Sequence, residues 1–324
     1  MVLAVMVLAG GRIATVAVAE AVRRLVHVSP AWALTGVAFE GLSLAGYVGL
    51  LSLVTRRATP RIGVRESAQI TLAGAAATRL LPTAGAGGAA LTVWALRRAG
   101  LKPRTAARTL LVFLVLMYSV FLVAIAAAGA ALTLSAGSHG PKALAAIAAA
   151  VALLAIALAL AFALHRSDDA IVPAGRLSRH LGRLREGSRF IGAAVRDALQ
   201  VARCGDVRLA GAVAYWMFDA AVLWAMLHAF GASPAIPAVA LAYLIGQVAN
   251  TVPLPGTVSG GMAGVLIAFG PPAVVAIPAV LAYRTVAVWL PLPPAIAAIP
   301  KLRATVAQWA HADAARPVTA SRRA

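Results

Sequence analysis

The chain has 324 residues, 61% of them hydrophobic and only 12% charged, with a mean hydropathy of +0.88. Soluble domains carry about 25% charged residues, so too few polar side chains are present to cover a water-facing surface, and no polar stretch is long enough to fold alone. The net charge of +19 does not point to nucleic acid, because the basic residues flank apolar segments, as the topology of a polytopic membrane protein requires.

The apolar N-terminus lacks a basic n-region followed by a cleavage site, so residues 1–22 read as a weak first span, interrupted by Arg12 and Glu20. Ser29-Pro30 is a helix start, and residues 30–55 form a full span that contains Glu40 and ends at Arg56-Arg57. Residues 66–98 are apolar but carry Pro82, Gly85, Gly87 and Gly88 at their centre. A single crossing there would put Arg56, Arg57, Arg61 and Arg65 opposite Arg97, Arg98, Lys102, Arg104 and Arg108, against the positive-inside rule. A re-entrant hairpin keeps both clusters on one side. Each arm is shorter than the ~20 residues a span needs.

Residues 104–134 and 143–165 are further spans, joined by an external loop. Residues 166–208 are Arg-rich and predict a cytoplasmic amphipathic connector, with Leu177, Leu181, Leu184, Phe190 and Ile191 on its apolar face. Residues 209–231 span the membrane and contain Asp219. A second broken apolar segment, 236–269, lies between charge-free flanks and reads as a hairpin entering from outside. Residues 273–297 return to the cytoplasm, and 305–324 read as a disordered cytoplasmic tail. Most of the 29 basic residues fall inside. Arg23, Arg24 and Lys142 fall outside, and Arg12, Arg79 and Arg284 lie within membrane segments.

The expected fold is an all-α polytopic membrane protein. It has six transmembrane helices plus two re-entrant helical hairpins in an inverted-topology repeat: 1–137 (hairpin 66–98) and 138–304 (hairpin 236–269). Two correspondences support the repeat. Both hairpins follow Pro-x4-Gly-Gly-x-Ala, with Pro82, Gly87, Gly88 and Ala90 against Pro255, Gly260, Gly261 and Ala263. The span before each hairpin carries Phe-acid-small, Phe39-Glu40-Gly41 and Phe218-Asp219-Ala220. Broken helices in matching places of two halves point to a transport site, so the candidate hairpin tips are Pro82, Gly85, Gly87, Gly88, Pro253, Pro255, Gly256, Gly260 and Gly261.

Ionised side chains at membrane depth cost about 2.5–3.5 kcal/mol on insertion scales. Glu40, Arg79, Asp219 and Arg284 are all expected there, one acid and one arginine in each half. Two readings stand. The arginines bind a phosphate bidentately while the acids bind a cationic headgroup or carry a coupling proton, or the four form ion pairs that lock helices together. The glycines likewise either leave helix ends free for an anion or permit close packing. The six histidines have no metal spacing, and His228, the one near the membrane, reads as structural. Cys204 is the only cysteine. No cofactor motif and no nucleophile or paired-carboxylate motif is present, so an enzyme is not expected.

The run from Val252 to Met262, Val-Pro-Leu-Pro-Gly-Thr-Val-Ser-Gly-Gly-Met, followed by Ala282-Tyr283-Arg284, resembles the transmembrane region of the lysylphosphatidylglycerol synthase (flippase-like, UPF0104) family. Arg79-Leu-Leu-Pro82 and its glycine run resemble the family's first half. The family's second Gly is Thr257 here, and its Glu is Met262. The resemblance implies a multi-pass protein of the bacterial inner membrane with both termini cytoplasmic, and a flippase-like translocator of phospholipid or lipid-linked anionic or aminoacylated headgroups. Its expected partners are membrane lipids, including polyprenyl-phosphate-linked ones, but not nucleic acid. A second copy of the chain and a separate lipid-modifying enzyme are the candidate protein partners, since no aminoacyl-transferase domain follows the last span. A small-solute secondary transporter and a non-transporting accessory protein are the competing readings.

Overall fold

A computed structural model describes residues 29–80, 86–135, 141–164, 176–250 and 256–315, with side chains for all of these except 79–80, 162–164 and 176–185. Every regular element among them is helical. In chain order they are α1 (Pro30–Ala58), α2 (Val64–Leu80), α3 (Ala86–Arg98), α4 (Pro103–Leu134), α5 (Lys142–Leu164), α6 (Arg176–Arg203), α7 (Ala210–Ala229), α8 (Ile236–Ala249), α9 (Thr257–Ala268), α10 (Ala273–Arg284) and α11 (Leu292–Ala314). The expected span at 1–22 lies outside the described residues.

Five stretches among the described residues are long and apolar enough to cross a membrane: Pro30–Ala58, Pro103–Leu134, Lys142–Ala161, Val207–Ala229 and Ala273–Ala314. They match the expected spans after the first. By contrast, α2, α3, α8 and α9 have 17, 13, 14 and 12 residues. At 1.5 Å per residue they reach about 18–26 Å, short of the ~30 Å hydrocarbon core. They pack in pairs, α2 on α3 and α8 on α9.

The chain forms two compact units. The first comprises the described parts of 1–44, 120–154 and 214–291, and the second those of 45–119, 155–213 and 292–324. Each unit therefore draws on both halves of the sequence, unlike the division at residue 137. Charge is also unevenly divided. The described part of the first unit contains only Glu40, Lys142, Asp219 and Arg284 among Asp, Glu, Lys and Arg, whereas the second holds the arginine clusters.

In the first unit, α1 lies along α7. Trp32 and Trp224 meet edge to face at 5.5 Å, and His228 sits against both indoles, with Nδ1 at 3.0 Å from the Trp224 carbonyl. His228 is thus a packed structural residue, as expected. In the second unit, Gly211 of α7 sits against the backbone of Gly46 and Leu50 in α1, where an added Cβ would collide with the Gly46 carbonyl oxygen. Here α2 and α3 pack on α11.

Helix α6 forms where the amphipathic connector is expected. Leu177, Leu181 and Leu184 are not among the residues with described side chains. Farther along, Ala194, Val195, Ala198 and Val201 are buried, so this part of α6 turns its apolar face to protein. Ile191 is exposed, while Phe190 is half-buried under Arg104, whose guanidinium carbon lies 5.9 Å from the ring. Arg108 pairs bidentately with Asp197 at 2.6 and 2.8 Å. Asp206 then caps the turn that leads into α7, and a side-chain hydrogen bond from Arg208, followed by the Arg208 backbone N–H, holds its carboxyl down at about 2.

The tail requires a correction. Helix α11 continues past residue 304 to Ala314, through sequence expected to be disordered. Local hydropathy did not indicate it, because tertiary partners stabilise it. Val306 is buried, Thr305 Oγ1 donates to Gln69 Oε1 at 2.9 Å, and Arg61 pairs with Asp313. The exposed Arg61–Asp313 pair is worth about 0–1 kcal/mol, so Asp313→Asn is expected to leave detergent-solubilised unfolding nearly unchanged. Truncation after residue 304, which removes Val306 and Thr305 as well, is expected to lower the unfolding temperature clearly.

Candidate functional site

The expected site residues divide between the units. Glu40, Asp219 and Arg284 belong to the first, and Arg79 belongs to the second, on the last turn of α2. Pro82, Gly85, Pro253 and Pro255 lie outside the described residues, as does the side chain of Arg79.

Glu40 and Asp219 are both buried, at 6% and 7% exposure, in α1 and α7. Phe39 and Phe218, one residue before each acid, stack with ring centroids 5.8 Å apart. One turn away, Ser43 Oγ donates to the Tyr215 carbonyl at 3.1 Å. The repeated Phe-acid pattern therefore places two carboxyl groups at one level of neighbouring helices.

Asp219 is the centre of a hydrogen-bonded cluster. Tyr243 Oη donates to its Oδ2 at 2.6 Å, and Tyr283 Oη to its Oδ1 at 3.1 Å. Gln247 Nε2 donates in turn to Tyr283 Oη at 3.3 Å. Both tyrosines are buried. The acid thus ties α7 to a hairpin arm, α8, and to α10. Burying a carboxylate away from water is costly unless donors satisfy it, and two hydroxyls on different helices meet that need.

Arg284 follows Tyr283 at the end of α10, and a single π-helical turn, Thr285–Trp289, comes next. Such turns concentrate at functional sites. Arg284 is half-buried and makes no ion pair among the described residues. Among the described residues Arg284 is thus not paired, and Asp219 accepts hydrogen bonds from two tyrosines.

The glycine motif behaves differently from expectation. Gly87 and Gly88 lie in the first turn of α3, and Gly260 and Gly261 inside α9, so none of these four forms a tip. In each pair the second glycine faces the other arm. A Cβ on Gly88 would lie 2.6 Å from Thr78 Oγ1 and 3.0 Å from the Gly74 carbonyl oxygen. Gly261 lies against Gly246 and Ala249, the Gly246 Cα being 3.5 Å from where its Cβ would be. Close backbone approach is what these glycines allow. Thr78 Oγ1 also accepts the Gly88 N–H at 3.0 Å. Gly256, with φ +86°, does occupy the turn before α9, where a side chain would be strained. Met262, at the position of the family's Glu, is fully buried and packs on Gly246. It fills the crossing of the arms.

Sequence reading did not find Tyr243 and Gln247. They are the only strongly polar side chains of α8 and lie four residues apart, which places them on one helix face. That spacing was the available signal.

No similar curated protein is found for this chain. A family model describing the lysylphosphatidylglycerol synthase TM region matches residues 1–295, nearly the whole chain. On this match the chain belongs to the lysylphosphatidylglycerol synthase transmembrane-region family.

Proposed function

We propose that this protein translocates phospholipid or lipid-linked headgroups across the bacterial inner membrane. The observation that carries the reading is the buried acid pair Glu40 and Asp219, while Arg284, next in sequence to the Asp219 partner Tyr283, makes no ion pair among the described residues. Charged groups held at membrane depth are functional by default, and a zwitterionic or anionic headgroup offers matching charges. Arg284 and Arg79 are each assigned as phosphate contacts. Asp219 is assigned as the group that takes up charge or a proton during turnover, with Tyr243 and Tyr283 as its hydrogen-bond relay.

The two helix pairs act as re-entrant hairpins in an inverted-topology repeat. In support, all four arms are too short to span, and Gly88 and Gly261, equivalent in the repeated motif, both sit where their arms cross. The charge distribution supports cytoplasmic termini.

The test uses purified protein in vesicles containing labelled phospholipid. Arg284→Ala and Arg79→Ala are each expected to slow lipid movement about tenfold or more, as the loss of a charge-assisted hydrogen bond of about 1.5–3 kcal/mol implies. The reading fails if both variants move lipid at the wild-type rate and leave cellular lipid distribution unchanged. A non-transporting accessory protein is the reading that the hydrogen-bonded Asp219 favours, and it predicts no lipid movement by any form of the protein.

A further inference from the structure

The second unit contains a cavity of about 320 Å³ where the α2–α3 pair meets α11. Ala73, Ala90, Leu91, Ile299 and Leu302 form its apolar wall, and Trp94 and Arg303 also line it. Trp94 and Arg303 are both exposed. The Arg98 guanidinium carbon lies 5.9 Å from the Trp94 ring centroid. Neither Arg98 nor Arg303 makes an ion pair among the described residues. Arg97 and Lys301 add positive charge on the same helices.

We propose that this cavity binds an anionic diacyl phospholipid from the leaflet that the basic flanks face. The volume is at the low end of the ~300–1,000 Å³ of small-molecule sites, so it takes part of one acyl chain rather than a whole lipid. The apolar wall accepts methylenes. The indole of Trp94, apolar with one N–H, suits the boundary between acyl chain and headgroup. Arg98 and Arg303 then flank the phosphate, which guanidinium binds with two parallel hydrogen bonds. A neutral zwitterionic lipid gains less here, because its ammonium faces the same positive rim. The site lies in a different unit from the Asp219 cluster, and the proposal does not depend on the transport reading.

The experiment reconstitutes the full chain in phosphatidylcholine vesicles containing a small fraction of acyl-brominated phosphatidylglycerol or acyl-brominated phosphatidylcholine. Subtracting the signal of Trp94→Phe isolates Trp94 fluorescence from that of the other tryptophans. Brominated phosphatidylglycerol is expected to quench Trp94 at about one-fifth of the mole fraction that brominated phosphatidylcholine needs, as about one extra ionic contact implies. Arg98→Gln with Arg303→Gln is expected to abolish that preference. Arg65→Gln with Arg203→Gln, which removes two exposed arginines of the same unit away from the cavity, is expected to preserve it. Equal quenching by both lipids overturns the proposal in favour of unselective acyl contact. Equal loss of preference in the two double variants overturns it in favour of diffuse surface attraction.

Discussion

Replacing Asp219 with asparagine is expected to leave the protein folded and to slow lipid movement about tenfold or more, equivalent to ~1.4 kcal/mol in the barrier. Asparagine keeps the shape and one acceptor, so one tyrosine hydroxyl stays bonded. The other must turn to accept from the NH2 group, and the charge-assisted bonds are replaced by weaker neutral ones. Asp219→Ala is more damaging. It leaves the hydroxyls of Tyr243 and Tyr283, which both donate to the carboxylate, without that acceptor in a buried place. Each such group costs about 1–3 kcal/mol, so the variant is expected to unfold at markedly lower temperature in detergent.

A third variant separates structure from function. Asp219→Ala combined with Tyr243→Phe and Tyr283→Phe removes donors and acceptor together, which is close to neutral when the replacement packs. It is expected to recover much of the stability lost in Asp219→Ala and none of the lipid movement. Wild-type transport in this triple variant would show that Asp219 only holds α7, α8 and α10 together.

Gly88→Ala is expected to destabilise the protein by about 1–3 kcal/mol through overpacking. Its Cβ would approach the Gly74 carbonyl oxygen to 3.0 Å, and a backbone atom inside a helix cannot move aside alone. Gly246→Ala is the counterpart in the other helix pair, where the new Cβ meets Met262 and the Val258 carbonyl oxygen, the latter at 3.1 Å. Met262 is fully buried and meets the new Cβ at its Cγ, close to the backbone, so the effect is expected to be at least as large as at Gly88. Gly260→Ala meets open space and removes a helix-interior glycine, so it is expected to stabilise by about 0.5–1 kcal/mol. Thermal unfolding in one detergent ranks the three. A Gly88→Ala protein as stable as Gly260→Ala contradicts the close crossing of the arms.

The spans and the two broken segments were legible because hydropathy and arginine placement are local signals. The acid pair was legible because Phe39-Glu40 and Phe218-Asp219 repeat. What those acids touch was not. Tyr243 and Gln247 share a helix face by their spacing, yet nothing in the sequence says that this face meets Asp219 and Tyr283. The glycines misled for a physical reason. Gly-Gly in an apolar run reads as a helix break, but within a helix it also permits close contact with a neighbour, and only the neighbour decides. The same holds for residues 305–314, whose helix depends on Gln69 and Arg61 far away in the chain. The division into units was hidden too, because long helices such as α1 and α4 contribute to both.

The central claim is that this protein moves lipid headgroups across a bilayer. The most direct measurement reconstitutes the purified chain into vesicles carrying headgroup-labelled phosphatidylglycerol and follows the fraction of label that an impermeant reductant reaches. The account predicts that label initially confined to the inner leaflet becomes accessible with wild-type protein, and far more slowly with Asp219→Asn. Accessibility identical to that of protein-free vesicles, with lipid composition and imposed proton gradient varied, would contradict it.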